Sequence, residues 1–174
     1  MTLPLPELPP QLDCTIDHVG IAVRSLRAAV PLYAGLLGGT FVSGGDDPGL
    51  GIRTAQFRLS PGLRVELLQP ATPDCYLHGY LDRHGEGFHH MALLVPDLEA
   101  ALHTVQDAGF EITGTDTSDP AWRTSYIRPK SGLGMLFQLA ETPHDWDRPP
   151  GDATLEDVLA GRYEWHGERA VRRQ

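Results

Sequence analysis

Two stretches of the chain, IDHVGIAVRSLRAAVPLYAGLLGG from Ile16 and FHHMALLVPDLEAALHTVQDAGF from Phe88, carry one pattern. A repeat of this kind limits the possible folds more than any composition does. Each copy reads as a His-bearing strand, Ile16 to Val23 or Phe88 to Val95, followed by a helix-capping residue, Ser25 or Asp97, with Leu directly after it. Apolar residues then recur at helical spacing: Leu26, Ala29, Val30, Tyr33 and Leu37 in one copy, Leu98, Ala101, Leu102 and Val105 in the other. Glycines stop both helices, Gly38 with Gly39 and then Gly109. After a loop rich in Gly, Ser and Asp come IRTAQFRLSPGLRVELLQP and WRTSYIRPKSGLGMLFQLAE, strand pairs joined by the turns SPG and PKSG. The pattern predicts an α+β fold of two βαβββ modules, 14–70 and 88–141, forming a curved mixed sheet with a cleft.

The polar residues obey the same repeat. His18 and His90 stand 72 positions apart, and so do Glu66 and Gln138, while Arg53 and Thr54 align with Arg123 and Thr124. A shared offset is expected where each module sends one first-strand and one last-strand residue into a common cleft. Alternate strand residues share a face, so His18 with Glu66, and His90 with Gln138, can point to one side of the sheet. Two imidazoles, a carboxylate and an amide oxygen suit one divalent ion such as Co, Mn, Ni, Fe or Zn, with room left for water or substrate. His89 and His90 compete for one role because adjacent strand residues face opposite sides, and the offset favours His90. Glu141, three residues beyond Gln138, turns away from the cleft unless a bulge intervenes. Arg53 and Arg123 are candidate anion-binding residues for substrate at the cleft mouth. Trp122, Tyr126, Phe57 and Phe137 could line a pocket, with core packing the expected role.

The remaining segments and the charge set outer bounds. Residues 1–13, with four prolines, read as an extended N-terminal segment. Residues 142–174 read as a linker, a short helix LEDVLA capped by Thr154 with Asp157 and ended by Gly161, and an exposed tail disordered at its end. Neither the N-terminal segment nor the linker at 142–153 is expected to carry chemistry, while the tail could dock onto the body or onto a second subunit. The 23 acidic against 14 basic residues, a formal charge of -9, would repel a phosphate backbone, so nucleic acid is excluded as the expected partner in favour of a small-molecule substrate. No apolar run approaches the ~20 residues that span a bilayer, and MTLPLPELPPQLD lacks the features of a signal peptide, so no membrane association and a cytoplasmic location are expected. Cys14 and Cys75 read as reduced thiols.

The segments IDHVGIAV, RVELLQP, GEGFHHMALLVPDL and GMLFQLAE resemble the glyoxalase/bleomycin-resistance/dioxygenase superfamily, also called vicinal oxygen chelate, over roughly residues 15–141. Within it the chain is most similar to the methylmalonyl-CoA epimerase family. The resemblance implies a metal-dependent isomerase or epimerase acting through an enolate of a carbonyl or acyl-CoA substrate, a possible homodimer, and metal held by His18, Glu66, His90 and Gln138. It also exposes two departures. The family's last-strand Glu, a ligand and catalytic base, is Gln138 here, and its other base aligns with Thr54. Of the carried-over positions, Glu66 is left as the group to serve as both ligand and base. The alternatives are another metal reaction on this fold, a glyoxalase-like lyase or an Fe(II) dioxygenase using His18, His90 and Glu66, and a non-catalytic pocket that sequesters a small molecule.

Overall fold

The computed structural model describes residues 8–60, 62–143, 152–167 and 169–174. The first module comprises β1 (Thr15–Ala22), α1 (Leu26–Val30, running on as a π-helical segment Pro31–Leu36), β2 (Thr40–Asp47), β3 (Ile52–Ser60) and β4 (Leu63–Pro70). After α2 (Tyr76–His84) the second comprises β5 (Gly87–Leu94), α3 (Leu98–Asp107), β6 (Ile112–Asp116), β7 (Arg123–Ile127) and β8 (Leu136–Glu141). The C-terminal segment forms α4 (Leu155–Leu159), β9 (Tyr163–His166) and β10 (Arg169–Arg172). All ten strands join one sheet in the order β10-β9-β2-β3-β4-β1-β5-β8-β7-β6.

The two halves of this order mirror each other about β1 and β5, which pair antiparallel with Val19 opposite Met91. Those two residues are 72 apart, so the pseudo-twofold axis runs between them. In each module a capped helix returns the chain to a strand parallel to the first, as a βαβ crossover must. Ser25 Oγ accepts from Ala28 N at 3.3 Å and Asp97 Oδ1 from Ala100 N at 3.0 Å. A last-strand side chain completes each cap: Gln69 Oε1 accepts from Leu26 N at 2.7 Å, and Glu141 Oε2 from Leu98 N at 2.8 Å. Gly38 and Gly109 adopt φ of 65° and 84° where the helices stop, a region costly for any residue with a Cβ.

Alternation sorts the strands into two faces. On β3 and β4, Ala55, Phe57, Val65 and Leu67 enter the core with Leu26, while Thr54, Gln56, Glu66 and Leu68 line a cavity on the other side. A matching core under the second module holds Leu98, Ala101, Val105 and Leu139. The sequence pattern predicts no element between the modules, yet α2 packs Leu77 and Leu81 against Ala22, Ile52 and Leu68 on the cavity face.

The C-terminal segment departs most from expectation. Thr154 and Asp157 do cap α4, with Asp157 N donating to Thr154 Oγ1 at 3.2 Å. Beyond Gly161, however, the chain is no exposed tail. β9 pairs with β2 at Asp46 and Glu164, and Val158, Tyr163 and Ala170 belong to the first module's core. The predicted linker falls largely on 144–151, outside the described residues. Both cysteines are free thiols. Among the described residues no helix is long and apolar enough to cross a membrane.

Candidate metal centre

Strand register brings the four predicted ligands to the middle of the sheet. His18 faces Ala92 and Gly20 faces His90 across the β1–β5 ladder. Glu66 lies beside Gly20 on β4, and Gln138 beside Ala92 on β8, so the axis through Val19 and Met91 relates one pair to the other. Two irregularities break this ladder, between Ile16 and His18 and between Gly20 and Ile21, where Leu93/Ala92 and His90/Phe88 are the partners. They bulge Asp17 and His89, again 72 residues apart. In a regular strand His89 would point away from His90. The bulge instead lets both reach the cavity.

His18 Nε2, His90 Nε2 and a Glu66 oxygen converge within 4.8 Å of one another. His18 Nε2 lies 3.1 Å from His90 Nε2 and 3.5 Å from Glu66 Oε2, and the third separation is 3.9 Å. Donors each ~2.0–2.2 Å from one ion stand roughly 3–4 Å apart, so the residues fit a divalent cation. Gln138, 8% exposed, lines the same cavity.

A second layer orients the first. His18 Nδ1 lies 2.7 Å from an Asp17 carboxylate oxygen, and the other Asp17 oxygen is ion-paired with the buried Arg64 guanidinium. This leaves His18 Nε2 directed at the cluster. His90 Nδ1 lies 3.0 Å from His89 Nδ1 and its own Nε2 faces the cluster. Gln56 Nε2 donates to Glu66 Oε1 at 3.2 Å, leaving Oε2 toward the histidines. Burial alone would strip His18 of its proton, but Glu66 and Asp17 outweigh it and raise the pKa to about 9. Burial likewise opposes the charge on Glu66, yet His18 holds that carboxyl down to about 2. His90, buried and beside a cationic His18, falls to about 3. The cluster without metal therefore holds one proton on His18, a carboxylate on Glu66 and a neutral His90.

The surrounding cavity has a volume of about 740 Å³, in the range of small-molecule sites, ~300–1,000 Å³. Tyr76 of α2 and Tyr126 of β7 line it, and burial pushes both phenols up, Tyr126 to about 12, so both stay protonated near neutral pH. Trp122 also lines it, whereas Phe57 is wholly in the core. Two lining carboxylates escaped the sequence reading, Asp47 at the end of β2 and Asp116 at the end of β6. The only signal for them was their place at strand ends flanking Gly- and Ser-rich loops.

Arg53 and Arg123 are not brought to the cavity. Arg53 forms a two-point ion pair with Asp46, with Nη2 to Oδ2 at 2.9 Å, and donates from Nη1 to the Leu159 carbonyl of α4 at 3.3 Å. Arg123 Nη1 donates to Glu141 Oε2 at 2.7 Å, the oxygen that caps α3, so Glu141 also lies off the site. Among the described residues no Lys or Arg lines the cavity. Thr54 does line it, and its Oγ1 accepts from Trp165 Nε1 at 2.9 Å.

The same fold and sequence pattern occur in known proteins. Residues 17–126 match the family model described as glyoxalase/bleomycin resistance protein/dioxygenase superfamily. The chain is 33% identical over 130 residues to an ethylmalonyl-CoA/methylmalonyl-CoA epimerase of Cereibacter sphaeroides, covering 72% of this chain and 96% of that protein. It is 29% identical over 132 residues to the uncharacterized protein YqjC of Bacillus subtilis, covering 75% and 94%. Among solved structures, a variant of Streptomyces coelicolor methylmalonyl-CoA epimerase in complex with 2-nitronate-propionyl-CoA superposes with a TM-score of 0.66 at 27% identity, covering 74% of this chain and 97% of that one.

Proposed function

The chain belongs to the glyoxalase/bleomycin resistance protein/dioxygenase superfamily, and on that premise we propose that it is a metal-dependent isomerase that enolises an acyl-CoA or related carbonyl substrate and epimerises the carbon beside it. The observation that carries this reading is the convergence of His18, Glu66 and His90 in a cavity that Gln138, the fourth ligand we assign, also lines. Nitrogen, carboxylate and amide donors favour Mn, Co, Ni, Fe or Zn. An ion held there would supply a Lewis acid for the substrate's carbonyl oxygen. Relatives named for acyl-CoA epimerisation support the substrate class.

Removing and returning an α-proton needs an acid/base group on each side of the carbon. Thr54 and Gln138 carry no titratable proton. We assign Glu66, which converges with His18 and His90, to the ion rather than to the proton. We assign the proton transfers to Asp47 and Asp116, one from each module. Their removal as Asp47→Asn and Asp116→Asn is expected to slow α-proton exchange by ~10²-fold or more with metal content unchanged. Exchange is read by proton NMR in D₂O with propionyl-CoA and methylmalonyl-CoA on Co-loaded protein.

A second reading rests on the same two departures. His18, His90 and Glu66 are also the two-His, one-carboxylate set of Fe(II) oxygenases, and the loss of carboxylates at Thr54 and Gln138 favours a different reaction at this centre. Oxygen uptake that needs Fe(II), without α-proton exchange under any metal, would select it.

A further inference from the structure

The C-terminal hairpin is part of the cavity. Trp165 of β9 and Gly167 of the β9–β10 turn both line it, in a segment that the repeat of two modules does not account for. β9 sits outside β2, yet the Trp165 indole reaches Thr54 on β3. It can do so because β2 has Gly45 where it crosses, while Gly44 faces the core at Val158. Gly45 pairs with Thr54, and a Cβ there would lie 3.2 Å from the Glu164 backbone carbon. The hairpin is held from below as well: Arg53 ties Asp46 to the Leu159 carbonyl, and Arg173 lies 3.2 Å from Asp46 and 3.0 Å from Glu164. Its turn also spans the cleft. A Cβ at Gly167 would come within 2.0 Å of an Asp119 carboxylate oxygen, in the loop between β6 and β7 of the other module.

We propose that this hairpin is a specificity wall, with Trp165 the residue that limits the length of the substrate group extending from the metal centre toward β3. The proposal rests on the metal-centre reading above. Thr54 and Gln56 are successive residues on one face of β3, ~6.8 Å apart, and Gln56 contacts Glu66. A ligand chelated at the cluster therefore meets the indole within about one side-chain step. A short acyl branch fits this space and a long one runs into the ring.

Linear alkyl hydroxamates, from acetohydroxamate to octanohydroxamate, test this without turnover, since each chelates a metal through two oxygens and differs only in chain length. Binding to Co-loaded protein is followed by the visible d–d spectrum, with metal content measured on the same samples. In open space each buried methylene tightens binding about fourfold. In the wild type this gain should stop, and binding should weaken, after the first few carbons. In Trp165→Ala it should continue along the series, and Trp165→Phe should move the limit by less. Thr54→Val, which removes the hydrogen bond and keeps the indole, should blur the limit without abolishing it. A loaded wild type whose affinity keeps rising with length, or a Trp165→Ala profile that matches the wild type, overturns the wall alone. Should Trp165→Ala not fold, the Trp165→Phe and Thr54→Val profiles decide by the same criterion. A wild type that takes up no cobalt overturns the metal-centre reading together with the wall.

Discussion

Gly20 is expected to be as necessary to the metal centre as a ligand. It contributes no side chain, but it faces His90 on the neighbouring strand, and a Cβ built on it would lie 2.2 Å from both Cε1 and Nδ1 of that ring and 2.9 Å from Cγ. Ordinary contact begins near 3.4 Å. The overlap extends to the root of the ring, so swinging its far end does not relieve it. Gly20→Ala must therefore turn His90 out of the cluster or spread β1 from β5. The direct cost of such overpacking is ~1–3 kcal/mol of stability. Disturbing a ligand's orientation typically costs ~10–100-fold in metal affinity. With free metal at one hundred times the wild-type Kd, binding stabilises the wild type by ~2.7 kcal/mol, and a hundredfold weaker variant by only ~0.4 kcal/mol. The assay is urea unfolding of wild type and Gly20→Ala with chelator and with Co or Zn at that excess. Equal metal-induced stabilisation in the two proteins would refute the reasoning. Ala92, the pseudo-symmetric position opposite His18, is the control, and Ala92→Gly is expected to leave metal affinity within a few-fold of wild type.

Four further outcomes are expected. Because His18 carries the cluster's proton with a pKa of about 9, metal uptake at pH 7.5 should release close to one proton per ion, measured by calorimetry in two buffers of different ionisation enthalpy. The same raised pKa means that metal-free protein keeps His18's contribution to stability below pH 6.5, its value in the unfolded chain, and loses it as pH rises through about 9; unfolding at pH 6 and pH 9.5 checks the sign. Asp17→Asn should lower metal affinity by ~10-fold or more, and its His18 resonance should titrate at lower pH than in the wild type. Arg53→Ala should cost about 3 kcal/mol by leaving Asp46 with Arg173 as its remaining cationic contact, against about 1 kcal/mol for the more exposed Arg123→Ala, with metal affinity unchanged in both by calorimetric titration.

What the sequence discloses and what it hides follow from the range of the interactions involved. The 72-residue offset exposes the module boundaries, both helix caps and the pairing of His18 with His90 and Glu66 with Gln138, because each is set by local periodicity repeated twice. The bulges at Asp17 and His89 are invisible to that logic, since they are register changes between two strands of different modules. Asp17, the group that orients His18, therefore carries no sign of that role in the sequence. Arg53 and Arg123 look like anion binders because a guanidinium near a cleft has no visible partner in one dimension. Their partners, Asp46 and Glu141, are fixed by strand pairing, and the α4 carbonyl that also takes Arg53 comes from over a hundred residues away. The C-terminal hairpin reads as a tail because strands of four residues leave little periodicity. Two signals were nonetheless present: the paired glycines of SGGDD inside a strand, and the turn glycine of YEWHGERAVR between alternating residues.

The most direct test is metal content. Wild-type protein, stripped by chelator, reloaded with Co, Mn, Ni, Fe or Zn and desalted, should retain about one ion per chain by elemental analysis. His90→Ala and Glu66→Ala should retain far less, while remaining folded by circular dichroism. Retention of the same amount by both variants, or by none of the three proteins under any of the five metals, would contradict a metal centre at His18, Glu66 and His90.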